Sequence, residues 1–202
     1  GIECEVFEAT PEFQPLGVGI NLLPHSVRVL SLLGLREAIE QTAIATAELS
    51  YYSKHGKRIW TEPRGVAAGY RWPQFSIHRG ELQMLLLERV RERIGAERVH
   101  AGHALASFDE RASVVEATFA DRRSGETVAT VNGDVLVGAD GVHSAVRKAF
   151  YPEEALPRFS GRLLWRGVTE AEPFLTGRTM IMAGFAAQKF VAYPISAEAA
   201  GR

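Results

Sequence analysis

The side chains best suited to binding a ligand lie where a predicted strand meets a predicted helix. Residues 134–140 form an almost unbroken apolar run that ends in Asp140, and Gly141 and Ser144 follow it. A strand buried on both faces has such a run, and ligands of open α/β sheets bind beyond the carboxyl ends of strands. Gly141 permits a sharp turn close to a ligand, and Ser144 is a good N-cap for a helix over 145–150. The segment predicts a ligand-binding turn, with a generic strand-to-helix turn as the alternative.

Two further charged residues, Glu8 and Arg79, could bind parts of a nucleotide. Glu8 ends a short β-rich run, and a carboxylate at the end of an early parallel strand is the usual partner of ribose hydroxyls in dinucleotide-binding folds. Arg79 lies beside the start of a predicted helix over 80–94, where its charge faces the positive end of the helix dipole. A bound anion would reverse that repulsion, because helix N-termini bind phosphate. A solvated glutamate and a local pair between Arg79 and Glu81 are the alternatives.

The histidines and the single cysteine show no metal or nucleophile pattern. No histidine pair has i, i+4 spacing beside a glutamate, and the sequence contains neither a Gly-x-Ser-x-Gly elbow nor a P-loop. Cys4 lies in a predicted buried strand, where packing is the simpler role. The net charge of −1 gives no electrostatic case for binding nucleic acid or an anionic membrane, and no apolar run reaches the length of a spanning helix. With 46% hydrophobic residues, the composition predicts a globular, cytoplasmic protein.

Hydrophobic spacing predicts the elements that position these side chains. The predicted helices cover 24–33, 35–42, 80–94 and 145–150. The predicted strands include two hairpins, at 49–53 with 58–61 and at 114–120 with 127–131, together with strands at 99–108 and 134–140. After Pro152, strands at 163–169, 179–183 and 190–195 are predicted to form a separate sheet. The pattern as a whole predicts an α/β fold.

Several segments resemble one enzyme family. They are residues 15–21 (PLGVGIN), 76–84 (SIHRGELQM), 165–170 (WRGVTE) and 191–196 (VAYPIS), together with the Asp140-Gly141 turn. The chain resembles the single-component FAD-dependent aromatic hydroxylases, which include the para-hydroxybenzoate and salicylate hydroxylases, and is most similar to the phenazine-modifying monooxygenases. The Asp-Gly pair matches the second fingerprint of this family, which serves both FAD and NAD(P)H.

The resemblance implies a two-domain fold. A Rossmann-like FAD-binding domain of the glutathione-reductase type would span residues 1–155 and include an inserted hairpin region at about 49–75. Residues 156–202 would form the start of a β-sheet substrate domain. Both domains are expected to be incomplete, because the first strand with its G-x-G-x-x-G turn and the later Gly-Asp-x-x-His segment of the family are absent. The chain is therefore expected to be an interior fragment of a longer protein.

The resemblance also implies roles for individual residues. The residues implied in FAD binding are Glu8 at the adenosine ribose with Ala9 beside it, Val18 along the flavin, Arg79, Leu105 at the adenine, Asp140 and Gly141. The residues implied near the substrate are Asn21, Lys189 and Tyr193. No catalytic side chain and no metal ion are expected, because the flavin carries the redox chemistry.

The function that the resemblance implies is that of an FAD-dependent monooxygenase. NADH or NADPH would reduce the flavin, O2 would add at its C4a position, and the resulting hydroperoxide would transfer one oxygen atom to an aromatic or heteroaromatic substrate. The expected partners are this small substrate and O2, without nucleic acid or membrane. A truncated non-catalytic chain and a related flavin reductase or halogenase are the alternatives, although the Trp-x-Trp-x-x-Pro signature of halogenases is absent.

Overall fold

The computed structural model describes residues 1–196 of the chain. Within them the strands are β1 (Val6–Phe7), β2 (Gly19–Leu22), β3 (Ile44–Thr46), β4 (Glu48–Tyr52), β5 (Arg58–Pro63), β6 (Gln74–His78), β7 (Val99–His100), β8 (Ala104–Arg111), β9 (Val114–Ala120), β10 (Thr127–Gly133), β11 (Thr179–Gly184) and β12 (Lys189–Ala192). The α-helices are α1 (Pro24–Leu32), α2 (Arg36–Thr42), α3 (Arg79–Ile94) and α4 (Ala145–Phe150). None of the helices within the described range is long and apolar enough to cross a bilayer.

The chain divides into two compact units, each built from two stretches of sequence. Unit 1 contains Gly1–Phe13 and Val90–Leu164, and unit 2 contains Gln14–Arg89 and Trp165–Arg202. The predicted division into domains at residue 155 stays a prediction.

The hydrophobic core of unit 2 lies between a three-stranded sheet and the helices that cover it. The sheet has the order β2-β6-β3 and is antiparallel. Phe75 and Ile77 of β6 point into the core, where they join buried residues of α1 and α2. Helix α1 begins at Pro24, which supplies a helical φ and needs no hydrogen bond there, and it ends before Gly34, whose φ is +81°. The three helices predicted before residue 95 are confirmed.

A second sheet of unit 2 has the order β12-β11-β4-β5. The hairpin β4–β5 and the strands β11 and β12 are confirmed. However, β11 pairs in parallel with β4, so the late strands extend the sheet of the early hairpin. The strand predicted at 163–169 is wrong: these residues form no strand, and Trp165 is 91% exposed. No strand within residues 1–196 pairs with the backbone of this segment, and apolar residues form a strand only where a neighbour supplies hydrogen bonds and packing.

Unit 1 contains a parallel pair, β1–β7, and an antiparallel sheet with the order β10-β9-β8. The hairpin β9–β10 is confirmed. The buried strand predicted at 134–140 is wrong, because Val135 and Val137 are 77% and 78% exposed and no strand of the described residues pairs with them. Cys4 is also exposed, so the prediction that it packs in a buried strand is wrong.

Candidate functional site

Glu8 of unit 1 is held in place but keeps an oxygen available. It directly follows β1, where its backbone N–H donates to the His100 carbonyl at 2.9 Å and its carbonyl accepts from the His103 N–H at 2.8 Å. Its Oε1 accepts hydrogen bonds from the N–H and the hydroxyl of Thr10, at 2.8 and 3.0 Å. Within the described structure, Oε2 accepts none. The carboxylate is therefore oriented by its own turn and can accept from two vicinal hydroxyls.

Leu105 lies close to Glu8 in the same unit. It is the second residue of β8 and follows His103, which is hydrogen-bonded to Glu8. The pairing of β8 with β9 shifts between Leu105 and Ser107, which leaves one residue of β8 unpaired beside Leu105. Such a bulge frees backbone groups for a ligand. Ala9 continues the turn after Glu8, so the structure brings Glu8, Ala9 and Leu105 together.

Asp140 caps a helix and does not end a strand. Its Oδ1 accepts from the Ser144 hydroxyl at 2.5 Å, and its Oδ2 accepts from the N–H groups of Ala145 and Val146 at 2.6 and 3.4 Å. The Ser144 hydroxyl oxygen in turn accepts from the Arg147 N–H, which confirms Ser144 as the N-cap of α4. The carboxylate thus satisfies donors that the first turn of a helix otherwise leaves unpaired.

The charge of Asp140 is stabilised by this turn. Partial burial alone would raise the pKa of the carboxyl group, but the hydrogen bonds from Ser144 and from the backbone of Ala145 and Val146 outweigh it and hold the pKa below its ordinary value. Gly141 follows with a φ of +79° and open space around its Cα. The turn therefore presents an ionised aspartate beside an uncrowded glycine backbone.

Arg79 of unit 2 lies against the backbone of Gly17. A Cβ atom added to Gly17, whose φ is +132°, would lie 2.7 Å from the Arg79 Nε. The Arg79 N–H donates to the Val18 carbonyl at 2.9 Å, and His78 Nε2 lies 3.0 Å from the Gly17 carbonyl oxygen. Arg79 is the first residue of α3, it is exposed, and its guanidinium forms no ion pair with any described residue. The arrangement places an uncompensated positive charge at a helix N-terminus beside a glycine backbone.

The segment before β2 also approaches the helix backbone. A Cβ atom at Gly80 would overlap the carbonyl group of Pro15, so Pro15 and Gly80 touch backbone to backbone. This contact and the bond from Arg79 to Val18 fix the path of residues 15–18. Val18 therefore has a defined backbone position next to the Arg79 guanidinium.

Asn21 and Tyr193 lie on the same side of β2. Gly19 and Asn21 alternate with core residues along the strand, so they share a face. The Tyr193 ring covers Gly19, where an added Cβ would lie 2.7 Å from the ring Cε2. The Arg166 guanidinium donates to the Gly19 carbonyl. The structure thus brings two of the predicted substrate residues to one face of the β2-β6-β3 sheet.

The same face carries buried polar residues that the sequence analysis did not single out. Ser76 and Thr46 are buried, and Gln74 is buried beside them. The Ser76 hydroxyl donates to Asn21 Oδ1 at 2.8 Å, and Thr46 Oγ1 lies 2.6 Å from Ser76 Oγ. The signal in the sequence was slight: polar residues alternate with Phe75 and Ile77 in a strand that would otherwise be apolar.

Lys189 lies apart from Tyr193. It starts β12, whereas Tyr193 follows the end of that strand, so about 13 Å of extended chain separates them. Lys189 lines an open cavity of about 300 Å³ with Lys54, Phe185 and Phe190. Lys54 Nζ lies 5.7 Å from the centre of the Phe185 ring. The described structure therefore does not bring Lys189 to the face that carries Asn21.

No group of three or more His, Cys, Asp or Glu side chains within residues 1–196 could hold a metal ion.

The residues present fit the parts of an FAD molecule, each unit taken by itself. In unit 1, Glu8 has an unused carboxylate oxygen of the kind that accepts ribose hydroxyls. In unit 2, Arg79 supplies a charge suited to phosphate, and Gly17 allows close approach to its backbone. These are the donor and acceptor types that a dinucleotide requires.

Comparisons with known proteins agree with this fit. The family described as FAD binding domain matches residues 1–182. The chain is 47% identical over 202 residues to the phenazine 1,6-dicarboxylic acid hydroxylase PhzS of Lysobacter antibioticus, a match covering 98% of this chain and 49% of that protein. It is 32% identical over 188 residues to the salicylate hydroxylase of Pseudomonas putida, covering 84% of this chain and 38% of that protein.

The fold is also that of a solved flavoprotein. The crystal structure of Klebsiella pneumoniae HpxO complexed with FAD and uric acid superposes with a TM-score of 0.74 at 23% identity, covering 98% of this chain and 48% of that chain. The chain spans about half the length of the curated relatives it matches. The expected α/β FAD-binding fold is thus confirmed. The match over residues 1–182 shows that the chain belongs to the family described as FAD binding domain.

Proposed function

We propose that the complete protein is an FAD-dependent monooxygenase that hydroxylates a planar aromatic or heteroaromatic acid. The observation that carries this proposal is the 47% identity to a phenazine dicarboxylic acid hydroxylase across nearly the whole chain. The net reaction consumes the substrate, O2, NADH or NADPH and one proton. It yields the hydroxylated ring, the oxidised nicotinamide and one water molecule, so atoms and electrons balance.

The residues of this chain would bind and orient the cofactor. Glu8 would accept hydrogen bonds from the ribose hydroxyls through its free oxygen, and Ala9 and Leu105 would line the adenosine. Arg79 would neutralise negative charge beside Gly17 and Val18. The Asp140-Gly141 turn would contribute an ionised carboxylate and an open backbone. When bound, FAD supplies the redox chemistry that passes electrons from NAD(P)H to O2.

The substrate would lie over the polar face of the β2-β6-β3 sheet. Tyr193 offers a ring and a hydroxyl next to Gly19, and Asn21 offers a carboxamide two residues along the same strand. A flat ligand with acceptor atoms on its ring suits that combination. Lys189 stays a prediction for substrate binding, with its positive charge as the physical support for an acidic substrate.

The remaining parts of the proposal concern cellular context. We place the protein in the cytoplasm, where NADH and NADPH are produced, with a small aromatic acid and O2 as partners and without nucleic acid. The net charge of −1 supports the last point. Fractionation of cells expressing the tagged full-length protein tests the location, and recovery of the tag outside the cytoplasmic fraction would contradict it.

The function is tested with the purified full-length protein and phenazine 1,6-dicarboxylic acid. We expect a yellow protein with the two visible absorbance bands of oxidised flavin. It should oxidise NADH or NADPH faster when the acid is added, take up O2, and release a product carrying one labelled atom from isotopically heavy O2. Oxidation of the nicotinamide without a labelled product would indicate a flavin reductase instead. A protein that binds no added FAD would refute the proposal.

A further inference from the structure

Hydrogen bonds link three side chains in series across the β2-β6-β3 sheet, and the series ends at Asn21. Asn21 of β2 lies directly opposite Ser76 of β6, and Thr46 of β3, which lies opposite Gln74, is diagonal to Ser76. Thr46 Oγ1 lies 2.6 Å from Ser76 Oγ, which lies 2.8 Å from Asn21 Oδ1. Ser76 is fully buried and Thr46 is 4% exposed, whereas Asn21 is only partly buried. The series therefore lies on the sheet face that also carries Tyr193, and it runs from two buried hydroxyl groups to the partly exposed Asn21.

The number of hydroxyl hydrogens determines which group donates and which accepts in this series. A hydroxyl group has one hydrogen to donate, and Ser76 uses it on Asn21 Oδ1. Thr46 must then donate to the Ser76 oxygen. Gln74 Nε2 also approaches Asn21 Oδ1, at 3.4 Å. Because Oδ1 accepts from inside, the other end of the carboxamide, Nδ2, is the free donor, and it contacts no acceptor within the described residues.

Core packing alone does not account for these hydroxyl groups. The alternate residues of β6, Phe75 and Ile77, bury apolar side chains on the opposite face of the sheet. A buried hydroxyl adds little net stability even when it is hydrogen-bonded, and an apolar residue of similar shape is often equivalent. Two hydroxyl groups arranged in series to orient one partly exposed amide are better explained by what that amide binds.

We propose that Ser76 and Thr46 are positioning residues that hold the Asn21 carboxamide so that Nδ2 donates a hydrogen bond to an acceptor atom of a planar heterocyclic ring. This inference rests on the proposed function, which supplies two such rings: the flavin and a phenazine-like substrate. Both offer ring nitrogen or carbonyl oxygen acceptors, and a neutral amide donor suits either one.

Three variants and a matched control test the proposal in the purified full-length protein. Ser76→Ala and Thr46→Val each interrupt the series of hydrogen bonds, and Asn21→Ala removes the Nδ2 donor itself. Ser50→Ala is the control, because Ser50 is 3% exposed and its hydroxyl lies 2.8 Å from Thr61 in the other sheet of unit 2. It removes a buried hydroxyl pair of the same kind without contact with Asn21.

Two binding measurements identify the ligand. The Kd for FAD is measured by fluorescence titration of the apoprotein, and the Kd for phenazine 1,6-dicarboxylic acid by the change in flavin absorbance. We expect Ser76→Ala and Thr46→Val to raise one of these two Kd values by about 2- to 10-fold, the range of one neutral hydrogen bond. Ser50→Ala should change neither Kd. Either variant combined with Asn21→Ala should lose no more than Asn21→Ala alone. A change in the Kd for FAD identifies the flavin as the ring that Asn21 binds, and a change in the Kd for the acid identifies the substrate.

A third readout does not depend on any ligand. In isotope-labelled protein, the side-chain amide resonances of Asn21 should shift in Ser76→Ala and in Thr46→Val but not in Ser50→Ala. If the two variants match the control in all three measurements while the wild type binds both probes, the positioning role is refuted and the proposed function is not. A wild type that binds neither probe refutes the proposed function and with it the ligand assignment.

Discussion

The guanidinium group of Arg79 packs directly on the backbone of Gly17, where an added Cβ atom would lie 2.7 Å from Nε. Two hydrogen bonds reinforce the contact. The Arg79 N–H donates to the Val18 carbonyl, and His78 Nε2 is hydrogen-bonded to the Gly17 carbonyl oxygen. The end of β6 and the start of α3 thus hold a glycine segment against a positive charge.

Removing the Arg79 charge should weaken the binding of FAD. We expect Arg79→Ala to cost about 1–3 kcal/mol, the range of a charge-assisted hydrogen bond, and Arg79→Lys to cost less because it keeps the charge but not the planar fork. The Kd for FAD, measured by fluorescence titration, checks this. Arg58→Ala is the control, because Arg58 is also exposed but lies on β5 in the other sheet of unit 2. Equal FAD affinity in Arg79→Ala and the wild type would contradict the role of Arg79.

A methyl group at Gly17 should displace the same guanidinium. Gly17→Ala adds a side chain at a φ of +132° and in the volume that Arg79 occupies, so we expect both lower stability and weaker FAD binding. Gly56→Ala separates the two effects. Gly56 has a φ of +77° but nothing within 4 Å, so alanine there should lower stability without changing the Kd for FAD. If the two variants bind FAD equally well, the contact between Gly17 and Arg79 does not matter for the cofactor.

Elements with local signals could be predicted from the sequence. Helix α1 has Pro24 at its start and Gly34 after its end, and α3 has a regular apolar stripe ending at Gly95. The hairpin β9–β10 turns where Ser124 and Gly125 interrupt two β-rich runs. These signals lie within a few residues of the structure that they specify, so no knowledge of distant contacts is needed.

Elements that depend on distant partners could not be predicted in this way. Residues 134–140 and 163–169 have strand-like composition, but no described strand pairs with either of them. Ser76 was missed for a related reason. It interacts with Asn21, which is 55 residues away in sequence, and only the pairing of β2 with β6 brings the two residues together. A serine in a strand carries no signal of its own.

Gly80 should be intolerant of the substitution that usually improves a helix. Replacing glycine by alanine in a helix commonly gains up to about 1 kcal/mol, yet a Cβ atom here would overlap the Pro15 carbonyl. The clash involves backbone, which cannot move as a side chain can, so we expect Gly80→Ala to destabilise the protein by about 1–3 kcal/mol. Urea unfolding measures the change. Gly167→Ala, in open space, should leave the free energy of unfolding nearly unchanged, and an equal result for both variants would contradict the close approach.

The hydrogen bonds to Asp140 should make its contribution to stability depend on pH. Because the pKa of Asp140 is lowered in the folded protein, the contribution is complete above the unfolded pKa of about 3.9 and is lost as the pH falls through the folded value. Asp140→Asn keeps one acceptor but cannot accept from the Ala145 N–H through its amide nitrogen. We expect it to lower the free energy of unfolding by up to about 1 kcal/mol near pH 7, a modest figure because the carboxylate is exposed. The difference from the wild type should shrink toward zero as the pH falls below the unfolded pKa and through the lower folded pKa. Urea unfolding across this range checks the prediction.

Asp134→Asn serves as the control because Asp134 is exposed and accepts no hydrogen bond from the described residues. A loss for Asp140→Asn that is the same at both ends of the range would show that the charge of Asp140 is not what caps α4.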